Sequence, residues 1–179
     1  DMYWSQQHER IAVVDVFGDH ALDCRLGSGL RTRLWHDPIV RECLALARMA
    51  GTSCAPEVSG HMLFSDKRPD LVIYNGIGCR NQLTDVVTCD PCRKDICMRA
   101  ATRVGAAAEG AALGKERSWT AQAEAQGETF YPLAIEAGGA VNERFREFLV
   151  TLASSSSPSP PERALFLGYA LQRSRAASH

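Results

Sequence analysis

The chain has 179 residues, 45% of them hydrophobic and 23% charged, and carries a net charge of −1. That length suits one domain with a substantial core, and the composition is that of an average globular protein. It excludes a bilayer-spanning helix, since no apolar run approaches about 20 residues, and a globally basic nucleic-acid binder, since any such affinity has to come from a local patch. Asp1 without an initiator Met and a polar end suggest a piece of a longer polypeptide, and nothing at the start resembles a signal peptide. Seven cysteines without such a signal point to an intracellular, reducing setting, where thiols serve packing or metal binding.

Residues 1–35 form an N-terminal segment. "RIAVVDVFGDHALDC" holds a short apolar run followed by His20 and Cys24, three residues apart, and "GSGL" reads as a loop. "HDPIVRECLALARMAG" reads as a helix, with Asp37 as N-cap and Pro38 at the first helical position, where its missing N–H costs nothing. Ile39, Cys43, Leu46 and Ala50 recur at helical spacing, and Gly51 suits the left-handed residue that ends it. After a connection holding Glu57, "HMLF" is a candidate strand. "PDLVIYN" and "NQLTDVVT" are stronger ones, separated by "GIGCR" and closed by "CDPC". From about Ile96 to Ala125 an alanine-rich stretch predicts a long helix with Gly105 as a break. "ETFYPLAIEA" predicts a strand, and "NERFREFLVTLA" a helix capped by Asn142. A core over 36–153 is thus followed by a Ser/Pro linker at 154–161 and a basic-ended helix over 162–179. The order is helix, three strands, long helix, strand, helix: an α/β (α+β) domain with a mixed central sheet flanked by helices.

Two aspartates interrupt the strongest strands. If the hairpin turns on Ile77 and Gly78, residues whose numbers sum to 155 lie opposite, and Asp70 and Asp85 satisfy that sum. Side-chain alternation then sets Asp70 with Val72 and Tyr74, and Asp85 with Leu83 and Val87. Carboxylates about 5 Å apart on an apolar face repel each other. A divalent cation such as Mg²⁺, held by one or two carboxylates and substrate phosphate oxygens, relieves that repulsion. The other reading is that Asp70 merely starts a strand after Pro69 and Asp85 points to solvent; a slip of one residue decides between them.

"RPD", then Asp85 in "TDVVTCDP", resembles the PD-(D/E)xK restriction-endonuclease-like fold. More narrowly, the chain resembles the nuclease domain of site-specific non-LTR retrotransposon polyproteins. "GDHALDC", "WHDPIVRE" (with His36, Arg41 and Glu42 at matching places), "GKERSW", "FYPLAIEAGG" and "ALQR" agree in order, from Gly18 to Arg173. The resemblance implies a restriction-endonuclease-like sheet and a metal-dependent DNA endonuclease in the nucleus. Such an enzyme would nick the target so that the exposed 3′ end primes reverse transcription. Asp70 and Asp85 would hold Mg²⁺ or Mn²⁺, and the partners would be target DNA and the rest of the polyprotein, with no membrane.

The sequence departs from the basic motif at Val87, where a Lys follows the second acid by two residues. The resemblance places that Lys on the next helix, at Lys115. Geometry offers Arg99 or Arg103 instead if the helix returns unbroken, since the depth of Asp85 in its strand is regained in about seven helical residues. A break at Gly105 restores Lys115. Glu42 and Glu57 are candidates for a third acid and equally read as ordinary glutamates. His20 and Cys24 with Cys89 and Cys92 have zinc-ligand spacing, although the family's knuckle needs two upstream cysteines that this chain lacks; buried packing thiols are the competing reading. Arg33, Arg68, Arg99 and Arg103 are candidate phosphate contacts, and Trp35 and Trp119 read as packing residues. A catalytically weak nucleic-acid-binding or interaction module, with or without zinc, is the alternative function. No P-loop or HExxH is present.

Overall fold

The computed structural model describes residues 32–62, 66–76 and 79–177. Helix α1 spans Asp37–Met49, and three strands follow: β1 Cys54–Pro56, β2 Leu71–Ile73 and β3 Gln82–Cys89. Then come the short α2, Cys97–Thr102, the long α3, Ala106–Ala125, and β4, Thr129–Glu136. Helices α4, Glu143–Ser156, and α5, Pro160–Ala176, complete the fold. The strands form one mixed sheet in the order β1-β2-β3-β4, antiparallel up to β3, with β4 parallel to β3. A parallel pair needs a crossover connection, and α3 supplies it.

Each sheet face is covered. Leu71, Ile73, Val86, Leu133 and Ile135 pack against Ile39, Cys43 and Leu46 of α1 and against Phe145, Phe148, Leu149 and Leu152 of α4. Each Leu or Ile so buried contributes about 1.5–3 kcal/mol. On the opposite face Val72, Leu83 and Phe130 meet Trp119 and Ala123 of α3, while Ala108 and Ala112 lie on Ala134. Trp119 stacks on Phe130 at 5.3 Å between ring centroids, the packing role expected of it. The alanines explain the approach: with no long side chains between, α3 can sit close to β3 and β4.

Several expectations hold in detail. Gly51 N–H donates to Arg48 O and Thr52 N–H to Ala47 O, with Gly51 at φ +72°, which is a Schellman end to α1. Gly105, at φ +82°, separates α2 from α3. The Asn142 carboxamide accepts from Phe145 N–H at 3.3 Å as N-cap, and also from Ala134 N–H at 3.0 Å, which ties α4 to β4.

Other expectations are corrected. Asp37 is not the N-cap: a π-helical turn over Thr32–His36 runs straight into α1, so Asp37 already lies in the first turn. The first strand is Cys54–Pro56 rather than "HMLF", of which His61 and Met62 are not in a strand and the next two residues lie outside the described ones. β1 pairs with Leu71–Ile73 at the sheet edge, the position where a proline does no harm. The Ser/Pro linker over 154–161 shrinks to Ser157–Ser159. Ser154, Ser155 and Ser156 keep α4 going while their hydroxyls donate to carbonyls of the preceding turn, and Pro160 opens α5. Helix α5 then packs back, with Ala170 fully buried in the core.

Candidate active site

The hairpin register pairs Leu71 with Thr84, Val72 with Leu83 and Ile73 with Gln82, the offset that sums to 155. The paired register ends at Leu71–Thr84, and Asp70, one residue before β2, lies close enough to Asp85 for their charges to interact. Here the main-chain ladder stops, because Pro69 has no N–H to donate. Asp70 N–H donates to Thr84 O at 3.0 Å, and Val86 N–H donates to the Asp70 carboxylate, Oδ2, at 2.7 Å. The first aspartate is thus clamped to the residue next to the second one. Asp85 alternates with Leu83 and Val87, both packed against α3, so it faces the helix that carries Lys115.

Lys115 Nζ forms an ion pair with Asp85 Oδ2, the aspartate side chain being 10% exposed and the lysine 35%. Burial pushes the Asp85 carboxyl above its usual range; the charge of Asp70 adds to this, and Lys115 and His36 oppose it. On the other side of the pair, His36 Nε2 meets Asp70 Oδ2 at 3.1 Å, while its Nδ1 meets Asp37 Oδ1 at 3.2 Å. That hydrogen bond to Asp70, against the opposing effect of burial, lifts the His36 imidazolium to about 9. The two acids, Asp85 buried and Asp70 partly so, are therefore bracketed by two cations. Both carboxylates make their contacts through Oδ2, and among the described residues neither Oδ1 has a partner. Carboxylate oxygens without partners are hard donors of the kind that a divalent cation such as Mg²⁺ takes.

The remaining candidates divide. Glu42 is buried on α1, but its Oε2 is taken by Arg173 Nη2 at 2.7 Å, a contact 131 residues apart in sequence. Arg173 also donates to the Tyr169 hydroxyl and lies over its ring, so Glu42 ties α1 to α5 through Oε2, while its Oε1 is buried without a hydrogen-bond partner. Glu57 donates its backbone N–H to Asp70 O at 3.0 Å. Its side chain, however, is exposed and pairs with Arg68 at 3.5 Å. Arg99 and Arg103 are exposed on the segment before α3 and do not replace Lys115. Arg33 is exposed in the π-helical turn.

His20 and Cys24 lie outside the described residues. Cys89 donates to Ile135 O at 3.4 Å, and burial pushes its thiol up to about 12. Cys92 is exposed. Among the described residues no group of three or more His, Cys, Asp or Glu side chains is gathered as a metal site, and no helix is long and apolar enough to cross a membrane.

His36 is the participant that residue chemistry alone does not single out. The resemblance marked its position, but nothing local tells that a histidine at the foot of one helix reaches an aspartate 34 residues away. Compared with protein-family models and with curated proteins, the chain matches neither a family model nor a curated sequence.

Proposed function

We propose that this domain is a metal-dependent DNA endonuclease of the restriction-endonuclease-like type, serving a retrotransposon by nicking target DNA to prime reverse transcription. The observation that carries the reading is the Asp70–Asp85 pair across the hairpin with Lys115 delivered onto Asp85 from the following helix. The lysine stands where the basic motif departs from its usual spacing, and it arrives because Gly105 interrupts the helix. The order of helix, three strands, long helix and strand, with a mixed sheet, supports the same fold.

Asp70 and Asp85 are the residues that would hold a divalent ion. When bound, that ion supplies charge neutralisation at the phosphoryl group and activation of water for in-line attack. Val86 N–H and His36 orient Asp70, so that the carboxylate is in place before substrate arrives. Lys115, a donor with no acceptor capacity, stands to stabilise negative charge developing on the phosphate. The flanking helices exclude water from the Asp85 side.

Nicking of supercoiled plasmid in Mg²⁺ or Mn²⁺ tests the reading. Asp70→Ala and Asp85→Ala should abolish cutting while circular dichroism is unchanged, and Lys115→Ala should slow it by about 10²-fold or more. A specific observation favours the alternative of a binding module: His36 and Lys115 already balance the two acids. Duplex binding with no cleavage in any divalent metal would establish that alternative and end the nuclease reading.

A further inference from the structure

Between β3 and α3 the chain leaves the sheet as an arm, residues 90–105, that carries α2. None of the six residues of α2 is buried, and a helix so short gains little from its own hydrogen bonds. The arm bears Met98 and Val104, 80% and 86% exposed, the most exposed of the large apolar side chains among the described residues. Lys94, Arg99 and Arg103 stand beside them, all exposed, and no side-chain partner for any of the three is found among the described residues. Arg93, by contrast, is spent on Asp95 through bonds of 3.1 and 2.9 Å.

We infer that this arm seats the sugar–phosphate backbone of duplex DNA, with Lys94, Arg99 and Arg103 on phosphates and Met98 and Val104 against the sugar edge of a groove. Solvation accounts for exposed cations, but it does not account for two bare apolar side chains among them. Apolar groups set between unpaired cations match a surface that is anionic outside and apolar along its groove walls. In a chain of net charge −1, this is the kind of local patch that a nucleic-acid contact requires. A second copy of the arm would bring like charges together. The arm departs from the end of β3, the strand that carries Asp85.

The choice of DNA rests on the nuclease reading, so the test separates the two. Binding of a short fluorescein-labelled duplex is followed by anisotropy in EDTA, where no cutting intrudes, across about 50–200 mM salt. The wild-type chain should bind with a pronounced salt dependence. The triple variant Lys94→Ala/Arg99→Ala/Arg103→Ala should lose affinity and flatten the log–log slope by about 2.7, at about 0.9 per phosphate contact. Met98→Ser/Val104→Ser should weaken binding with the slope intact. Because none of these side chains is buried, the melting temperature serves as the folding control and should not move.

Wild-type protein that fails to bind the duplex overturns the assignment, as does a triple variant with unchanged affinity and slope. So does self-association that the apolar double variant abolishes, which would give the face to a second copy. Arm-dependent binding by a protein that cuts nothing in Mg²⁺ or Mn²⁺ leaves the arm assignment standing and removes the nuclease reading. Metal-dependent cutting with an arm that is dispensable for binding does the reverse.

Discussion

Replacing Lys115 by Met keeps the aliphatic stem against α3 and the sheet and removes only the ammonium. What remains is Asp85, 10% exposed, facing the charge of Asp70 with its nearest cation gone. Removing one partner of a fully buried pair costs about 3–5 kcal/mol, and removing one from a surface pair about 0–1 kcal/mol. With the aspartate buried and the lysine a third exposed, an intermediate loss of about 1–3 kcal/mol is expected at pH 7.5. The pH dependence gives the sharper test. Burial already makes the folded Asp85 carboxyl bind its proton more readily than the unfolded one, whose usual value is 3.8, so stability falls as pH rises from that value through the folded one. Loss of Lys115 extends that fall. The deficit of the variant should therefore be present at neutral pH and vanish near pH 3.8 and below, where both proteins carry a neutral carboxyl. Urea unfolding of wild type, Lys115→Met, Asp85→Asn and the double variant measures it, with the double variant recovering most of the loss. A Lys115→Met protein as stable as wild type at neutral pH, or equally weakened at both pH values, would refute the ion pair as described.

Two further outcomes follow from the same geometry. His36 is held up to about 9 by Asp70, so its contribution, on the order of 2 kcal/mol for a ring only 26% exposed, should be complete below its ordinary 6.5 and lost as pH rises through about 9. His36→Ala should accordingly be most destabilised between about pH 5 and 6 and match wild type by about pH 10; an NMR titration of the ring near 6.5 would contradict this. A Cβ at Gly105 meets only Val141 O, at an ordinary 3.6 Å, but the residue sits at φ +82°. Gly105→Ala should therefore cost about 1–2 kcal/mol from backbone strain alone, with Gly105→Asn milder, and an unchanged melting temperature would refute it.

The parts of the fold legible in the sequence are those set by contacts between neighbours in the chain. Ile39, Cys43 and Leu46 mark the buried face of α1, Gly51 its end, Asn142 the start of α4, and the 155 offset the hairpin register. Where the reading missed, a longer-range partner had overruled a local signal. Three residues of β1 are too few to show alternation, and they are a strand because Leu71–Ile73 offers them an edge. Ser154–Ser156 look like linker, yet they stay helical because their hydroxyls turn back onto the helix and α5 returns to pack.

Because the turn sets which residues pair along the two strands, the sequence by itself determined the offset of the hairpin that brings Asp70 and Asp85 near each other. Only the tertiary structure decided which cations stand beside them. Unbroken helical geometry favoured Arg99 or Arg103, and the left-handed step at Gly105 restarts the helix so that Lys115 reaches Asp85. His36 reaches Asp70 because α1 packs on the sheet. Such partners come from elements whose relative position is set by burying apolar faces, and that positioning is written in no local stretch of the chain.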